Sequence, residues 1–177
     1  MAVLETIYNL FVPAYDTRPE IFLPAPPTSY TIRPLAEKHL EEVMRLNMRC
    51  FKNGENYTKH TFAYLLNEPN ALAYQIVTST NKMAGFICIL MGEDGAAHIT
   101  TIGIAPEHRR RGLAERLLSH LEHSLKVRSI GAVVLEVRVS NIAAQSLYRQ
   151  TGYSVVQRIS NYYNNGEDGY LMMKSIL

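Results

Sequence analysis

The hydrophobic positions of this chain follow two spacings, one typical of helices and one typical of strands. Leucines recur at every fourth position from Leu113 to Leu125, which places them on one face of an amphipathic helix. A shorter segment at 141–152 begins with an asparagine and ends with a glycine, residues that favour the two ends of a helix. Helices are also predicted within 36–51 and 58–67.

Seven further segments have the length and composition of β-strands. The segment 132–139 is apolar at nearly every position, which is typical of a buried strand in a parallel pair. Because the leucine-rich helix joins it to the strand at 97–106, these two strands are predicted to run parallel. The turn signal at 164–168 predicts a hairpin between the last two strands. The predicted strands are 30–35, 71–79, 82–92, 97–106, 132–139, 153–163 and 169–177.

The first 29 residues differ from the rest of the chain. They contain five prolines, which remove backbone donors and favour extended segments. An irregular arm is therefore predicted for residues 1–29, with Ile21, Phe22 and Leu23 apolar enough to pack on the body or on a second subunit. The body of the protein, residues 30–177, is predicted to form one domain.

The composition excludes several classes of protein. A net charge of +2 is too small to indicate nucleic-acid binding by itself. Cys50 and Cys88 have no metal-ligand spacing, so no metal is expected and two reduced, buried thiols are predicted. There is no apolar run long enough to cross a membrane and no pattern of a secretory signal. The default location is therefore the cytoplasm.

The segment EHRRRGLAERLL, residues 107–118, concentrates positive charge where the leucine-rich helix begins. The first turn of a helix has unpaired N–H groups and a partial positive charge, and Gly112 would let a ligand approach the backbone closely. Together these features predict a cradle for phosphate, with a solvated basic turn as the alternative. The sequence lacks the glycine patterns of a Walker loop and of a dinucleotide-binding fold.

The longer stretch IGIAPEHRRRGLA, residues 102–114, resembles the signature of the GNAT acetyltransferases. The resemblance implies acetyl-CoA as cofactor, with its pyrophosphate on the amides of the loop and its acetyl and pantetheine groups along the preceding strand. Gly103 inside that strand indicates a bulge or a close approach of backbone, or else a packing glycine. The cofactor-binding residues implied are Ile102, Gly103, Ile104, Arg109, Arg110, Arg111, Gly112, Leu113 and Ala114.

The stretch LEVRVSNIAAQSLYRQTGY, residues 135–153, resembles the N-terminal acetyltransferase branch of that family, which includes ribosomal-protein alanine acetyltransferases and NatA-type catalytic subunits. The resemblance assigns the role of general base to Glu136 and of general acid to Tyr148, and it adds Asn141 to the cofactor site. A carboxylate inside an apolar strand is costly unless it has a partner. The alternative is a glutamate that faces outward or forms a salt bridge, with Arg138 as a candidate partner.

The acceptor side of the site is implied by two shorter motifs. GENY, at 54–57, resembles a loop that lines the pocket of the acceptor's first residue. The resemblance implies Glu55 and Tyr57 there, with Glu55 as a second candidate base or an anchor for the amine. An ordinary solvent loop is the alternative. The segment before the last hairpin implies Tyr162 and Tyr163. Since neighbouring strand residues point to opposite faces, only one of these tyrosines is expected to reach the groove. A lone histidine is more often structural, so His98 is given no catalytic role.

The resemblance implies a GNAT fold of the α/β class. A central, mostly antiparallel sheet of seven strands is expected, with a parallel splayed pair at the cofactor site and about four flanking helices. The implied activity is acetyl transfer to the α-amine of a protein, with ribosomal proteins among the candidate acceptors and the oligomeric state open. Acetylation of a small amine, or a non-catalytic domain that senses acyl-CoA, are the alternatives.

Overall fold

The computed structural model describes residues 22–51, 57–92 and 95–177, and it contains one mixed sheet. The strand order is β1-β2-β3-β4-β5-β7-β6. Every neighbouring pair is antiparallel except β4 and β5, which run parallel. The strands are β1 Tyr30–Pro34, β2 Ala71–Thr78, β3 Met83–Met91, β4 Ala96–Ile104, β5 Ala132–Arg138, β6 Ser154–Ile159 and β7 Gly169–Ser175. The expected sheet of seven strands with one parallel pair is confirmed.

Four α-helices lie in the described part of the chain, as expected. They are α1 Leu40–Cys50, α2 Lys59–Asn67, α3 Leu113–Lys126 and α4 Ile142–Gln150. Short 3₁₀ turns at Glu37–His39 and Pro106–His108 precede α1 and α3. Within the described ranges, none of these helices has the length and hydropathy needed to cross a membrane.

The sheet separates two hydrophobic clusters, and β3 contributes to both. Ile87 and Ile89 pack in one cluster with the leucines of α3. Phe86 and Cys88, which alternate with them along the strand, pack in the other cluster with residues of α1 and α2. Because β3 is buried on both faces, its sequence is a continuous apolar run rather than an alternating one.

The parallel pair separates after a short stretch of pairing. β4 pairs with β5 only from Ala96 to His98, opposite Ala132 to Val134. Farther along, β4 remains paired with β3 on its other side, so its edge toward β5 is left without a strand partner. The two strands therefore open a gap in the middle of the sheet at the carboxyl end of β4.

A β-bulge lies in β4 at Thr100. Cys88 pairs with Thr101 and the next residue of β3 pairs with Ile99, which leaves Thr100 as the extra residue. A bulge at Gly103 is therefore wrong, and the glycine is tightly packed, whereas the close approach of backbone there stays a prediction. A Cβ atom on Gly103 would lie 2.7 Å from Cε1 of Phe86.

Residues 22–29 run without helix or strand toward β1 and lie against the turn that precedes α3. Arg111 holds them there. Its guanidinium donates to the carbonyl oxygen of Ala25, to that of Pro26 at 3.1 Å and to the hydroxyl of Tyr30 at 2.7 Å. The described end of the arm is thus fastened to the loop between β4 and α3.

Replacing Gly103 by alanine is expected to destabilise the protein, because the added methyl group would meet a ring that is fully buried. Overpacking of this kind typically costs about 1–3 kcal/mol, measured as the free energy of unfolding in urea. The matched control is Gly131→Ala, whose methyl group would meet the exposed side chain of Leu177, which can move away. Equal stability of the two variants would contradict the packing argument.

Candidate active site

The gap between β4 and β5 opens into a cavity of about 510 Å³. Segments far apart in sequence meet there: the end of α1, the splayed strands, the start of α3, α4, and the loop between β6 and β7. The cavity is lined by most of the predicted catalytic and acceptor-site residues but by few of the predicted cofactor residues. The predicted residues that line it are Tyr57, Ile102, Ile104, Ala114, Glu136, Asn141, Tyr148, Tyr162 and Tyr163.

The other predicted residues fall into two groups. Glu55 lies outside the described residues. The remainder surround the start of α3 or, in the case of Gly103, face the opposite side of β4, and none of them lines the cavity. These residues are Gly103, Arg109, Arg110, Arg111, Gly112 and Leu113.

Glu136 and His98 form a close pair across the gap between β5 and β4. Nε2 of His98 lies 2.6 Å from Oε2 of Glu136. An ionised carboxylate only accepts hydrogen bonds, so Nε2 carries the proton, and a neutral imidazole then presents Nδ1 as an acceptor. The alternative pairing of Glu136 with Arg138 is wrong, because Arg138 bonds Glu167 instead.

His98 is therefore a site residue that the sequence analysis missed. The residues next to a single histidine at the start of a strand do not indicate whether it belongs to a site. Its position two residues before the bulge of β4 and on the paired stretch with β5 could be recognised only with the register known. The register is what places it beside Glu136.

Glu136 is ionised at neutral pH. The hydrogen bond from His98 is the largest influence and lowers the pKa of the carboxyl group. Partial burial acts in the opposite direction, and a hydrogen bond from Tyr162 lowers the pKa further. The net result is a pKa below the usual value for glutamate. The cavity thus holds a permanent negative charge beside a histidine.

Tyr148 reaches the cavity from α4, and its side chain is almost entirely buried. Its ring packs at 5.8 Å from that of Tyr153. Burial raises the pKa of the Tyr148 hydroxyl to about 12. The hydroxyl is therefore protonated at any physiological pH and acts as a hydrogen-bond donor.

The loop before α3 has the backbone shape of an anion site. Arg110 and Gly112 both have positive φ angles, 62° and 70°, and Gly112 occupies the N-cap of α3. Successive N–H groups in such a conformation form a concave nest for anions, and the helix start adds its partial positive charge. The predicted phosphate cradle is consistent with this geometry.

The three arginines do not contribute in the same way. Arg109 folds back, and its Nε donates to the carbonyl oxygen of Ile104 at 3.2 Å. Arg111 directs its guanidinium to the arm at Ala25 and Pro26. Arg110 is exposed. Arg109 and Arg111 thus hydrogen-bond backbone groups of the protein itself. The sequence did not predict these bonds.

Asn141 lies where the start of α4 meets the cavity. Its Oδ1 accepts the N–H of Ala144 at 3.1 Å and so caps α4, while the residue also lines the cavity. Gln145, one turn into the helix, donates to the carbonyl oxygens of Arg138 and Val139. These bonds fix the start of α4 against the end of β5.

Tyr57 forms part of the cavity wall beside the bulge of β4. Its hydroxyl donates to the carbonyl oxygen of Thr100 at 2.7 Å, so the hydrogen-bond acceptor is a backbone group of the β4 bulge. Its ring meets Phe62 edge to face at 5.8 Å. The hydroxyl is thus engaged by the strand, and the ring faces the cavity together with Phe51.

Tyr162 and Tyr163 both line the cavity, so the expectation that only one would reach it is wrong. The predicted strand at 153–163 ends at Ile159, and the alternation of strand side chains no longer applies beyond that residue. Asn161 takes a positive φ of 51° and turns the chain. The two rings then meet at right angles, with centroids 5.0 Å apart.

The two cysteines are free, as predicted, and neither lines the cavity. Cys88 is fully buried, whereas Cys50 is partly buried. Burial raises the pKa of Cys50 to about 11 and that of Cys88 to about 12. Both thiols are therefore protonated at neutral pH, and neither has the character of a nucleophile.

The shape of the site fits a long ligand with a diphosphate group. The open edge of β4 offers backbone groups along the gap, and the nest at the start of α3 suits phosphate. Ala114 lines the cavity between them, and its small side chain leaves room for a narrow chain to pass. These are the requirements of a thioester carried on a phosphopantetheine arm.

Comparison with known proteins agrees with this geometry. An N-alpha-acetyltransferase of Saccharolobus solfataricus is 29% identical over 159 residues, which cover 83% of this chain and 93% of that protein. An N-alpha-acetyltransferase of Caenorhabditis elegans is 32% identical over 145 residues, covering 77% of this chain and 78% of that protein.

Solved structures with the same fold include the ribosomal-protein-S18-alanine N-acetyltransferase of Escherichia coli. Its TM-score to this chain is 0.76 at 30% identity, over 84% of this chain and 94% of that one. The sequence model of the acetyltransferase (GNAT) family matches residues 40–153. That match spans the splayed strands, the loop before α3 and the tyrosine of α4, and the chain therefore belongs to the GNAT acetyltransferase family.

Proposed function

We propose that this acetyltransferase transfers the acetyl group of acetyl-CoA to the N-terminal α-amine of a protein or peptide. One observation supports this acceptor above all. The acceptor side of the cavity places Tyr57, Tyr162 and Tyr163 around the pair formed by Glu136 and His98. The aromatic walls suit the first residues of an extended peptide, and the charged pair suits its amine.

The chemistry of the acceptor favours an α-amine over lysine. A free α-amine has a pKa near 7.7–8.0 and lysine one near 10.4. Deprotonating lysine at neutral pH therefore costs about 3.5 kcal/mol more. Among the described residues that line the cavity, the carboxylate is that of Glu136, and its lowered pKa makes it a weak base. Such a base can assist an α-amine, whose pKa is close to neutral pH, but it is too weak to deprotonate lysine efficiently.

The pair of Glu136 and His98 receives the proton that the attacking amine loses. The carboxylate holds Nε2–H of the imidazole at 2.6 Å and so fixes the tautomer in which Nδ1 is the basic atom. The same carboxylate stabilises the imidazolium that forms when Nδ1 takes a proton. In this proposal Glu136 remains part of the base, with His98 as its partner.

Tyr148 assists departure of the thiolate of coenzyme A by hydrogen bonding. Its pKa is about 12, whereas an ordinary alkyl thiol has a pKa of about 8.5. Complete proton transfer from this tyrosine to the thiolate would be uphill by roughly 5 kcal/mol. The hydroxyl therefore donates a hydrogen bond to the developing charge, and the role of full general acid is the less favourable one.

In this proposal the backbone around the gap binds acetyl-CoA. The amides from Arg110 to Ala114 form the pyrophosphate site, and the open edge of β4 at Ile102 and Ile104 receives the pantetheine arm. Asn141 offers its side-chain amide nitrogen, since its oxygen caps α4. Acetyl-CoA itself supplies the activated thioester.

The relatives support a protein acceptor. The archaeal and nematode proteins are named N-alpha-acetyltransferases, and the structure from Escherichia coli is a ribosomal-protein-S18-alanine N-acetyltransferase. We extend these names to this chain as a proposal and include a ribosomal protein among its acceptors. Small first residues, Ala or Ser, are expected to fit best, since three tyrosine rings narrow the cavity.

The acceptor can be tested with a peptide that begins with alanine and contains one internal lysine. Acetyl is expected on the α-amine and not on the lysine, because of the difference between their pKa values. Mass spectrometry with fragmentation locates the group, and spermidine in a parallel reaction tests small amines. Acetylated lysine, or reaction of spermidine without reaction of the peptide, would contradict the proposed acceptor.

Replacing Glu136 by glutamine is expected to lower kcat by about 10²–10⁴-fold, because the charge that holds and stabilises His98 is lost. The KM for acetyl-CoA should change little. The pH profile of the wild type, measured from pH 6 to 9, should rise with deprotonation of the acceptor. Glu136 does not titrate in that range because its pKa is lowered. An unchanged rate in the variant would remove Glu136 from the base.

Gly112→Val is expected to weaken binding of coenzyme A by at least about 10-fold, because valine strains a left-handed backbone and displaces amides whose bonds to phosphate are worth about 1.5–3 kcal/mol each. Gly95→Val is a matched control. Gly95 and Gly112 have φ angles of 77° and 70°, and a Cβ at either would meet nothing within 4 Å.

Calorimetric titration with coenzyme A measures both variants. Gly95→Val should bind coenzyme A with the wild-type affinity, even if valine strains its backbone as much as it strains that of Gly112→Val. Normal binding by Gly112→Val, or equal losses in the two variants, would contradict the cradle.

A further inference from the structure

The loop between β6 and β7, residues 160–168, carries Tyr162 and Tyr163 over the cavity and is fastened by an ion pair. Nη1 of Arg138, at the end of β5, donates to Oε2 of Glu167 at 2.6 Å and to Oδ1 of Asn165 at 3.0 Å. The side chain of Arg138 is 15% exposed and that of Glu167 is 24% exposed. Both partners are thus held largely away from water.

Glu167 makes a second connection with its other oxygen. Oε1 accepts the backbone N–H of Ser140 at 2.8 Å, in the turn that leads from β5 into α4. The bonds from Ser140 and from Arg138 lower the pKa of Glu167 to about 2, so the carboxylate stays ionised at every pH at which the enzyme would work. One side chain thus joins the loop to β5 and to the turn before α4.

The same arginine supports Tyr163 directly. Its Cζ atom lies 3.9 Å from the centroid of the Tyr163 ring, within the range of a cation–π contact. The backbone N–H of Tyr163 donates to the carbonyl oxygen of Glu167 at 3.0 Å. The ring therefore rests on a guanidinium that Glu167 helps to position.

Tyr162 is held by contacts of a different kind. Its ring packs on Gly169, where an added Cβ would lie 3.2 Å from Cδ1 of the tyrosine. Its hydroxyl hydrogen-bonds Glu136. The loop thus connects the ion pair at its base with the charged pair at the centre of the cavity.

We propose that Arg138 and Glu167 are positioning residues that lock this loop over the cavity and thereby determine how tightly the acceptor binds. The inference rests on the proposed function, since it concerns the side of the cavity that we assign to the acceptor peptide. Neither residue is assigned a contact with the reacting atoms. Glu167 acts through Arg138 and the backbone of the loop, and Arg138, which itself lines the cavity, acts through Tyr163.

The lock affects binding of the acceptor for an entropic reason. A loop that is already ordered loses little conformational freedom when a peptide binds against it, whereas a loose loop must be ordered at that moment. Loss of the lock should therefore raise the KM for the peptide. The cofactor cradle is formed by other segments, so affinity for coenzyme A should stay the same.

Glu167→Gln removes the charge from the lock and keeps the size of the side chain. We expect the KM for an acceptor peptide to rise about 10-fold, with kcat lowered less than threefold and the affinity for coenzyme A within twofold of wild type. Hydrogen–deuterium exchange should quicken in residues 160–168 and remain unchanged in α3. An unchanged KM for the peptide would overturn the proposal, whatever the exchange measurement shows.

Glu122→Gln is the matched control. Glu122 pairs with Lys174 at 2.6 Å, is similarly buried and does not line the cavity. A general loss of stability would therefore appear in both variants, and an equal rise of the peptide KM in both would overturn the lock. Arg138→Lys keeps a cation but loses the planar, branched group, and an intermediate KM is expected.

Failure of the lock and failure of the proposed function give different results. If the wild type acetylates spermidine but no peptide, the proposed acceptor is wrong. The exchange measurement then still reports whether Glu167 orders the loop. If the wild type acetylates peptides and Glu167→Gln has the wild-type KM, the proposed function stands and the lock is overturned.

Discussion

The early separation of β4 from β5 is the constraint on which the rest of the site depends. Pairing ends at His98, and beyond that residue one edge of β4 has no strand partner. Unpaired backbone groups inside a protein are costly unless something bonds them. The open edge is thus suited to a ligand that supplies its own donors and acceptors, and the cavity, the cradle at α3 and the tyrosines are arranged around it.

The same separation explains the electrostatics of the centre. His98 is the last residue of β4 that pairs with β5, and Glu136 lies two residues beyond the paired stretch of β5. Their side chains therefore meet where the gap begins. A half-buried carboxylate is stable there because the imidazole and Tyr162 both donate to it. Arg138 pairs with Glu167 and fastens the loop.

Local features of this fold could be predicted from sequence, and features that depend on register or on backbone acceptors could not. The leucines of α3 and the glycine at its N-cap are set by neighbouring residues. The partnership of His98 with Glu136 depends on strand pairing across 38 positions of sequence. Tyr162 and Tyr163 both reach the cavity because the chain turns at Asn161, whose N–H donates to Asp168.

Through Arg111, the conformation of the loop before α3 depends on residues that lie outside the family match. The preceding residue, Arg110, has a positive φ, which costs a non-glycine residue about 1–2 kcal/mol. The three bonds that Arg111 makes to the arm and to Tyr30 hold the loop in that shape. All three acceptors lie before residue 40, where the match to the family begins. The shape of the cradle therefore rests partly on residues 25–30, which lie outside that match.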